Sequence, residues 1–413
     1  MSSAKPQHGR RKAYVQVIVD GRDVTDAFDP YLLSVEVIDR LNMFDQADIE
    51  LDDRDARLAI PPDRAPILIR MGWNDEGLLV VFEGFVHQVE SGFNRRQGGR
   101  RLWIEARSAE LTGPGRDPQS RNWGEGESPD GGGGNGGGAV PMSSVLQEAG
   151  KYAGYNVKLS PSLANISRNY WQMNESFFHF GLRMAREHGA SFKVVGNTAV
   201  MLSNTDYLNA DGVDMSGGSG LVAEWGVNLI AWRIKPFVAR PQMGASEAEW
   251  FNVNEGIWQM ARKMIGGDLP FGRATNVHGI PAPAPNKQVG EQNNEAAGET
   301  SESGRGTGYV VVNGEPEMLA GKPLTIIGAR PGVDGTYKIQ EAQHSYSRRG
   351  YITRCDLMNP RLNAGVYRDD FNWGTGPSMQ EKLEELGRRR LQQLEGSRPH
   401  PQSEVEIGDV EIQ

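Results

Sequence analysis

ESFFHFGLRMAREHGASFKVVGNTAVML, residues Glu175 to Leu202, begins with helical apolar spacing and ends with two short alternating runs. At about 100° per residue, Phe177, Phe178, Gly181, Leu182, Met184 and Ala185 fall in one arc of roughly 160°, with His179, Arg183, Arg186 and Glu187 opposite. The spacing predicts an amphipathic, half-buried helix. Asn174 is its expected N-cap, Glu175 suits the positive end of the dipole, and Gly189 sits where a left-handed C-terminal cap belongs, so the helix should stop at His188. His179 and His188 are about two and a half turns apart, and their side chains leave different faces, so they cannot share a metal ion as an i, i+4 pair does. His188 is read as a packed or capping histidine and His179 as part of a solvated face. SFKVV and TAVML then flank Gly196-Asn197, a two-residue hairpin turn. Helix followed by hairpin is a folding unit with no chemistry visible in it.

Upstream, AYVQVIVDG, LLSVEVID, QADIELDD, PILIRMG, LLVVFEGFVHQVE and RRLWIEARS each alternate and read as strands of an antiparallel β-domain over residues 13–112. The glycine run within 124–139 lacks the Gly-Lys-Ser/Thr ending of a P-loop and the strand-to-helix setting of a dinucleotide site, and reads as a linker. A helix from Ser143 to Ala153 follows, so 113–218 is read as a small α/β domain. Downstream, LVAEWGVNLIAWRIKPF resumes the strands. AEWFNVNEGIWQMARKMI is expected to be a helix with Trp250, Ile257, Trp258 and Ala261 inward, and residues 276–308 a long polar loop. GYVVVNG, KPLTIIGA, GTYKIQEAQHSY and GYITRCDLM complete a second β-rich domain, 219–372. EGFVHQVESGFNRRQGGRRLWIEA and DGTYKIQEAQHSYSRRGYITRCDL share a glycine, a strand, an Arg-Arg turn and a second strand, a faint internal repeat. In 373–413, Ser378 and Glu381 form a capping box, and Met379, Leu383, Leu386 and Leu394 a narrow stripe, on a helix too short to stand alone.

The 413 residues suffice for several cores, and a net charge of −9 argues against a nucleic-acid-binding surface. One cysteine, Cys355, excludes an internal disulfide and a cysteine zinc cage, which suits assembly in a reducing cytosol. Neither a secretion signal nor a membrane span is read. Carboxylate pairs are inevitable among 53 acidic residues, and His-Glu-x-x-His, Gly-x-Ser-x-Gly and Cys/His arrangements are lacking. The expectation is a non-enzyme with no catalytic, cofactor-binding or metal residues and no cofactor.

DGRDVTDAF near the start, FEGFVHQVE, the block WQMNESFFHFGLRMAREHGASFKVVGNTAVML and GTYKIQEAQHSYSRRGYITRCDL occur in an order that resembles the late control protein D family of contractile-tail phages. These are baseplate hub proteins related to the base of VgrG in type VI secretion. The resemblance runs over residues 13–360 and is most specific in the middle block, where Gln172, Glu175, Ser176 and Gly189 match. It implies an α+β, mainly β fold: two tube-protein-like antiparallel β-barrels, an α/β domain between them and a C-terminal helical tail. It implies a homotrimeric ring whose six similar units adapt a sixfold tail tube to a threefold central spike. Tape measure and baseplate wedge proteins are further expected partners, the location is the virion tail baseplate, and assembly takes place in the bacterial host cytoplasm. The acidity suits a conduit, since a carboxylate-lined lumen does not hold passing DNA. Two other readings stand beside this one: a tail-associated cell-wall hydrolase, and the base of a VgrG-like secretion spike, in which a β-helical spike would be expected in the same polypeptide.

Overall fold

The computed structural model describes residues 11–94, 99–111, 113–123, 140–204, 220–235, 243–252, 255–264, 276–280, 284, 287–303, 307–330 and 332–362. The first region contains β1 (Ala13–Val19), β2 (Arg22–Asp23), α1 (Thr25–Phe28), β3 (Leu32–Arg40), β4 (Met43–Phe44), β5 (Gln46–Asp52), β6 (Pro66–Trp73), β7 (Gly77–Asn94) and β8 (Gly99–Arg107). The middle region follows with β9 (Gln119–Trp123), β10 (Val140–Pro141), α2 (Met142–Ala153), β11 (Asn156–Leu159), α3 (Pro161–Ala164), β12 (Ser167–Arg168), β13 (Tyr170–Glu175), α4 (Phe177–Glu187), β14 (Ala190–Val195) and β15 (Thr198–Ser203). The last comprises β16 (Val222–Glu224), β17 (Leu229–Lys235), β18 (Met243–Asn252), β19 (Ile257–Met264), β20 (Asn276–Gly279), α5 (Lys287–Ser303), β21 (Thr307–Asn313), β22 (Pro323–Ile327), β23 (Gly335–Ser347) and β24 (Gly350–Leu362).

The fold is mainly β. A 13-stranded sheet runs β17-β21-β24-β23-β3-β5-β8-β7-β6-β1-β2, with β22 and β16 continuing from β23. Alternation explains its two faces: Val35, Val37, Ala47, Ile49, Leu102 and Ile104 point into a core, and the residues between them point away. A second core gathers Val310, Val312, Leu324, Tyr337, Ile339, Cys355 and Leu357.

The faint repeat proves to be a repeat of topology. The order β3-β5-β8-β7-β6-β1 around the first core has its counterpart in β17-β21-β24-β23-β22-β16 around the second, strand for strand in chain order. Only the last pair differs, β1–β6 being antiparallel and β16–β22 parallel. Counted from the hairpin ends, the cross-strand row Val89–Ile104–Ile49–Val35 matches Ala342–Cys355–Val310–Trp232. Even an irregularity recurs, since the register shift between Leu32 and Ser34 reappears between Leu229 and Ala231. The repeats join where β23 pairs antiparallel with β3, from Glu341↔Arg40 to Ser347↔Ser34.

The middle region builds a sheet ordered β11-β15-β14-β4, with α2 and α4 packed on a third core. Its last strand, β4, comes from the first region, so the β3–β5 connection ties the two together.

Two expectations are corrected. AEWFNVNEGIWQMARKMI is the hairpin β18–β19, turning at Gly256 with φ +66°, and of its four expected inward residues only Ala261 is buried, Ile257 and Trp258 being exposed. A backbone kept at positive φ interrupts a helix but suits a turn. The expected loop 276–308 contains β20 and helix α5. Gly290, Asn294 and Gly298, one turn apart, lie buried, and Gly290 sits over Ala248 and Ala261 of the hairpin. Asn294 donates from Nδ2 to the Ala261 carbonyl at 2.7 Å. Small residues let helix and sheet approach closely, which apolar periodicity cannot register. The glycine run and the stretch expected to form a C-terminal helix, with Ser378, Met379, Glu381, Leu383, Leu386 and Leu394, lie outside the described residues.

Candidate functional site

The opening block resolves into scaffold. Helix α4 begins two residues later than expected, capped by Ser176, whose Oγ accepts from the His179 N–H at 3.3 Å. Asn174 is not the cap but sits at φ +51° in β13. Gln172 donates to the Glu175 carbonyl at 2.9 Å, and the Glu175 carboxylate receives Arg183 through Nε at 2.8 Å and Nη2 at 2.9 Å. Glu187 accepts from Arg183 at 2.7 Å and from Arg168 at 2.6 Å. The positions that carry the family resemblance thus fix how the chain enters and leaves α4. Gly189 leaves at φ +60°, and a Cβ on Gly181 would lie 2.5 Å from the Phe192 ring. His179 is exposed. His188 is buried at the C-cap, and burial together with the Arg168 charge pushes its pKa down to about 3, keeping it neutral.

A buried ionic cluster lies where the three regions meet. Lys193 of β14 contacts Asp39 of β3 and lies 3.1 Å from the Asp45 carboxylate. Asp39 also accepts from the Ala320 N–H at 2.9 Å, and Asp45 from the Arg40 N–H at 3.0 Å. Ser108 closes the group by accepting from the Asp45 N–H at 2.9 Å and donating to the Val194 carbonyl at 2.7 Å. Burial pushes Asp45 up to about 7 despite the neighbouring ammonium, whereas for Lys193 the two carboxylates outweigh burial and raise it. The arrangement neutralises charges between elements of the three regions. Sequence reading missed it because its members are far apart in the chain.

The other chemical feature is a surface. On the face of the sheet turned away from the first core, Glu36, Asp48 and Glu105 stand side by side across β3, β5 and β8. Arg107 pairs with Glu105, but Glu36 and Asp48 accept from the amides of Gln343 and Gln46. Partial burial raises the Asp48 pKa against the Gln46 hydrogen bond, and Glu105 and Glu36 raise it further. Among the described residues, no group of three or more His, Cys, Asp or Glu side chains is placed to hold a metal ion, and no helix is long and apolar enough to cross a membrane.

No family model matches the chain. Over 204 residues it is 25% identical to the protein named "Probable baseplate hub protein" of Escherichia phage P2, a match covering 49% of this chain and 46% of that one. The protein of the same name in Escherichia phage 186 is 24% identical over 196 residues, covering 47% and 46%. The chain therefore spans about half the length of the relatives it matches. In fold it resembles the 43 kDa tail protein of prophage MuSo2 from Shewanella oneidensis, with a TM-score of 0.57 at 12% identity over 84% of this chain and 96% of that one. The sequence matches are thus to baseplate hub proteins of phages, and the fold is shared with a prophage tail protein.

Proposed function

We propose that this chain, a relative of the phage baseplate hub proteins, is itself a hub: a structural part of a tail baseplate that joins a sixfold tube to a threefold spike. The observation that carries this is the repeated topology. Two equivalent strand sets in one chain, joined edge to edge through β3 and β23, supply two similar units per subunit. Three such chains in a ring present six, the number a sixfold partner needs, while keeping threefold symmetry for a spike. In this reading residues 13–112 and 219–372 are the two tube-like barrels and 113–218 braces them. The carboxylate row across β3, β5 and β8 suits the wall of a channel for DNA. The protein then acts by geometry, without a catalytic centre, in the virion tail after assembly in the host cytoplasm.

The test is genetic and structural. Particles made without this chain should contain separate tubes and spikes and no joined baseplate. Intact baseplates lacking the chain would refute the proposal.

A further inference from the structure

The junction inside the chain specifies a second junction that the chain leaves open. β23 is a long strand whose first part pairs with β22 and whose last part, on the same edge, pairs with β3. Its counterpart β7 pairs with β6 only as far as Phe85, and from Gln88 to Asn94 that edge has no strand partner among the described residues. The counterpart of β3 is β17, which ends the sheet with its outer edge likewise unpartnered among the described residues. An unpaired strand edge is a template for another strand. Here one chain carries two, and they correspond to the two halves of a junction it already makes.

We infer that β17 of one copy pairs antiparallel with the last part of β7 in the next copy, repeating between chains the β3–β23 junction within each. This rests on the ring reading and names its contact surface. The register follows by transposition through the matched cross-strand rows. Val35 faces Tyr346 in the internal junction, so Trp232 faces Phe93 between chains. Ile234 then faces Ser91, and Lys235 faces Glu90. The side chains fit this pairing. Phe93 is 72% exposed, the most exposed large apolar side chain described, although its counterpart Tyr346 is half-buried against the first core. Lys235 and Glu90 are both exposed and of opposite charge. The contact is head-to-tail: each copy uses β17 toward one neighbour and β7 toward the other, which closes a ring when the rotation permits.

The test places cysteines at Ile234 and Ser91 in the full chain. Facing residues of an antiparallel pair have Cα atoms about 4.5–5.5 Å apart, within the roughly 4.4–6.8 Å that a disulfide spans. Oxidation of I234C/S91C should give covalent species up to three chains, each single variant should give none, and an equimolar mixture of the singles should stop at two. Lys235→Glu or Glu90→Lys alone should lower the ring fraction about tenfold at a fixed concentration, equivalent to about 1.4 kcal/mol, and the double exchange should restore it. Native mass is read on the same samples. A three-chain mass without the crosslink would overturn the edge pairing and leave the ring standing. A single-chain mass throughout would overturn both.

Discussion

Phe180 and Leu182 show how far a helical wheel can be trusted in this chain. The buried arc of α4 is as wide as expected but rotated, so that Phe180 is fully buried, His188 lies within the arc and Leu182 is left half-buried at its margin. Arg183 lies over the Phe180 ring, 5.4 Å from its centroid, and a wheel built from residue types cannot foresee that cover. Phe180→Ala should therefore cost about 3–5 kcal/mol and exceed Leu182→Ala, with His179→Ala near zero, as read by chemical denaturation. His188 supplies a pH dependence. Its folded pKa of about 3 lies below the ordinary histidine value, so the unfolded chain binds the proton first, and stability contributed by its burial is lost as pH falls from about 6.5 toward 3. His344, fully buried beside the Tyr351 hydroxyl at 2.8 Å and pushed by burial to about 4, acts in the same direction. Asp45 acts in the opposite one. Its raised folded pKa, about 7, means that its contribution is complete below about 4 and declines as pH rises toward 7. Denaturation midpoints across pH 4–7 should show a shallower acid-side loss for His188→Gln than for the native chain, and a steeper one for Asp45→Asn. Lys193→Met leaves two buried carboxylates facing one another and should cost about 3 kcal/mol or more at neutral pH.

Among the elements, the alternating runs of β1, β3, β5, β6 and β8 were legible because one face of each strand is buried and the other wet, which writes a period of two into the residue types. The hairpin β18–β19 and helix α5 were misread for a common reason. They bury alanine, glycine, serine and asparagine against one another, so the packed face is small rather than apolar and the larger side chains Trp258, Met260 and Met264 are left outside. The hydrophobic pattern then points to the wrong face. Gly290 offers a clean check, because a Cβ there would meet Ala248, Ala261 and Ala284 at ordinary contact distances of 3.6–3.7 Å. Gly290→Ala should stabilise the α5 contact by up to about 1 kcal/mol, whereas Gly290→Leu should overpack it and cost about 1–3 kcal/mol. Proteolysis rates within 287–303 would separate the two, and equal rates would contradict the packing described.

For the molecule as a whole, the order of pieces in the sequence was enough to suggest a hub, but the repeat was barely visible. Equivalent rows such as Val89–Ile104–Ile49–Val35 and Ala342–Cys355–Val310–Trp232 share position rather than residue type, so only pairing reveals them. The ionic junction at Lys193 was hidden for the same reason, its contacts being made across the chain. If the carboxylate row lines a channel, exchanging Glu36, Asp48 and Glu105 for lysine should leave ring assembly intact while slowing passage of DNA through assembled particles, an effect that weakens with added salt. Unchanged delivery would remove that face from the channel wall. The central claim is that one chain carries two equivalent units so that three chains make a sixfold-compatible ring. The native mass of the chain, alone and in baseplates released from particles, tests it most directly. The account predicts a closed species of three times 45.4 kDa, and a chain that remains single, or is present in six copies, within an assembled baseplate would contradict it.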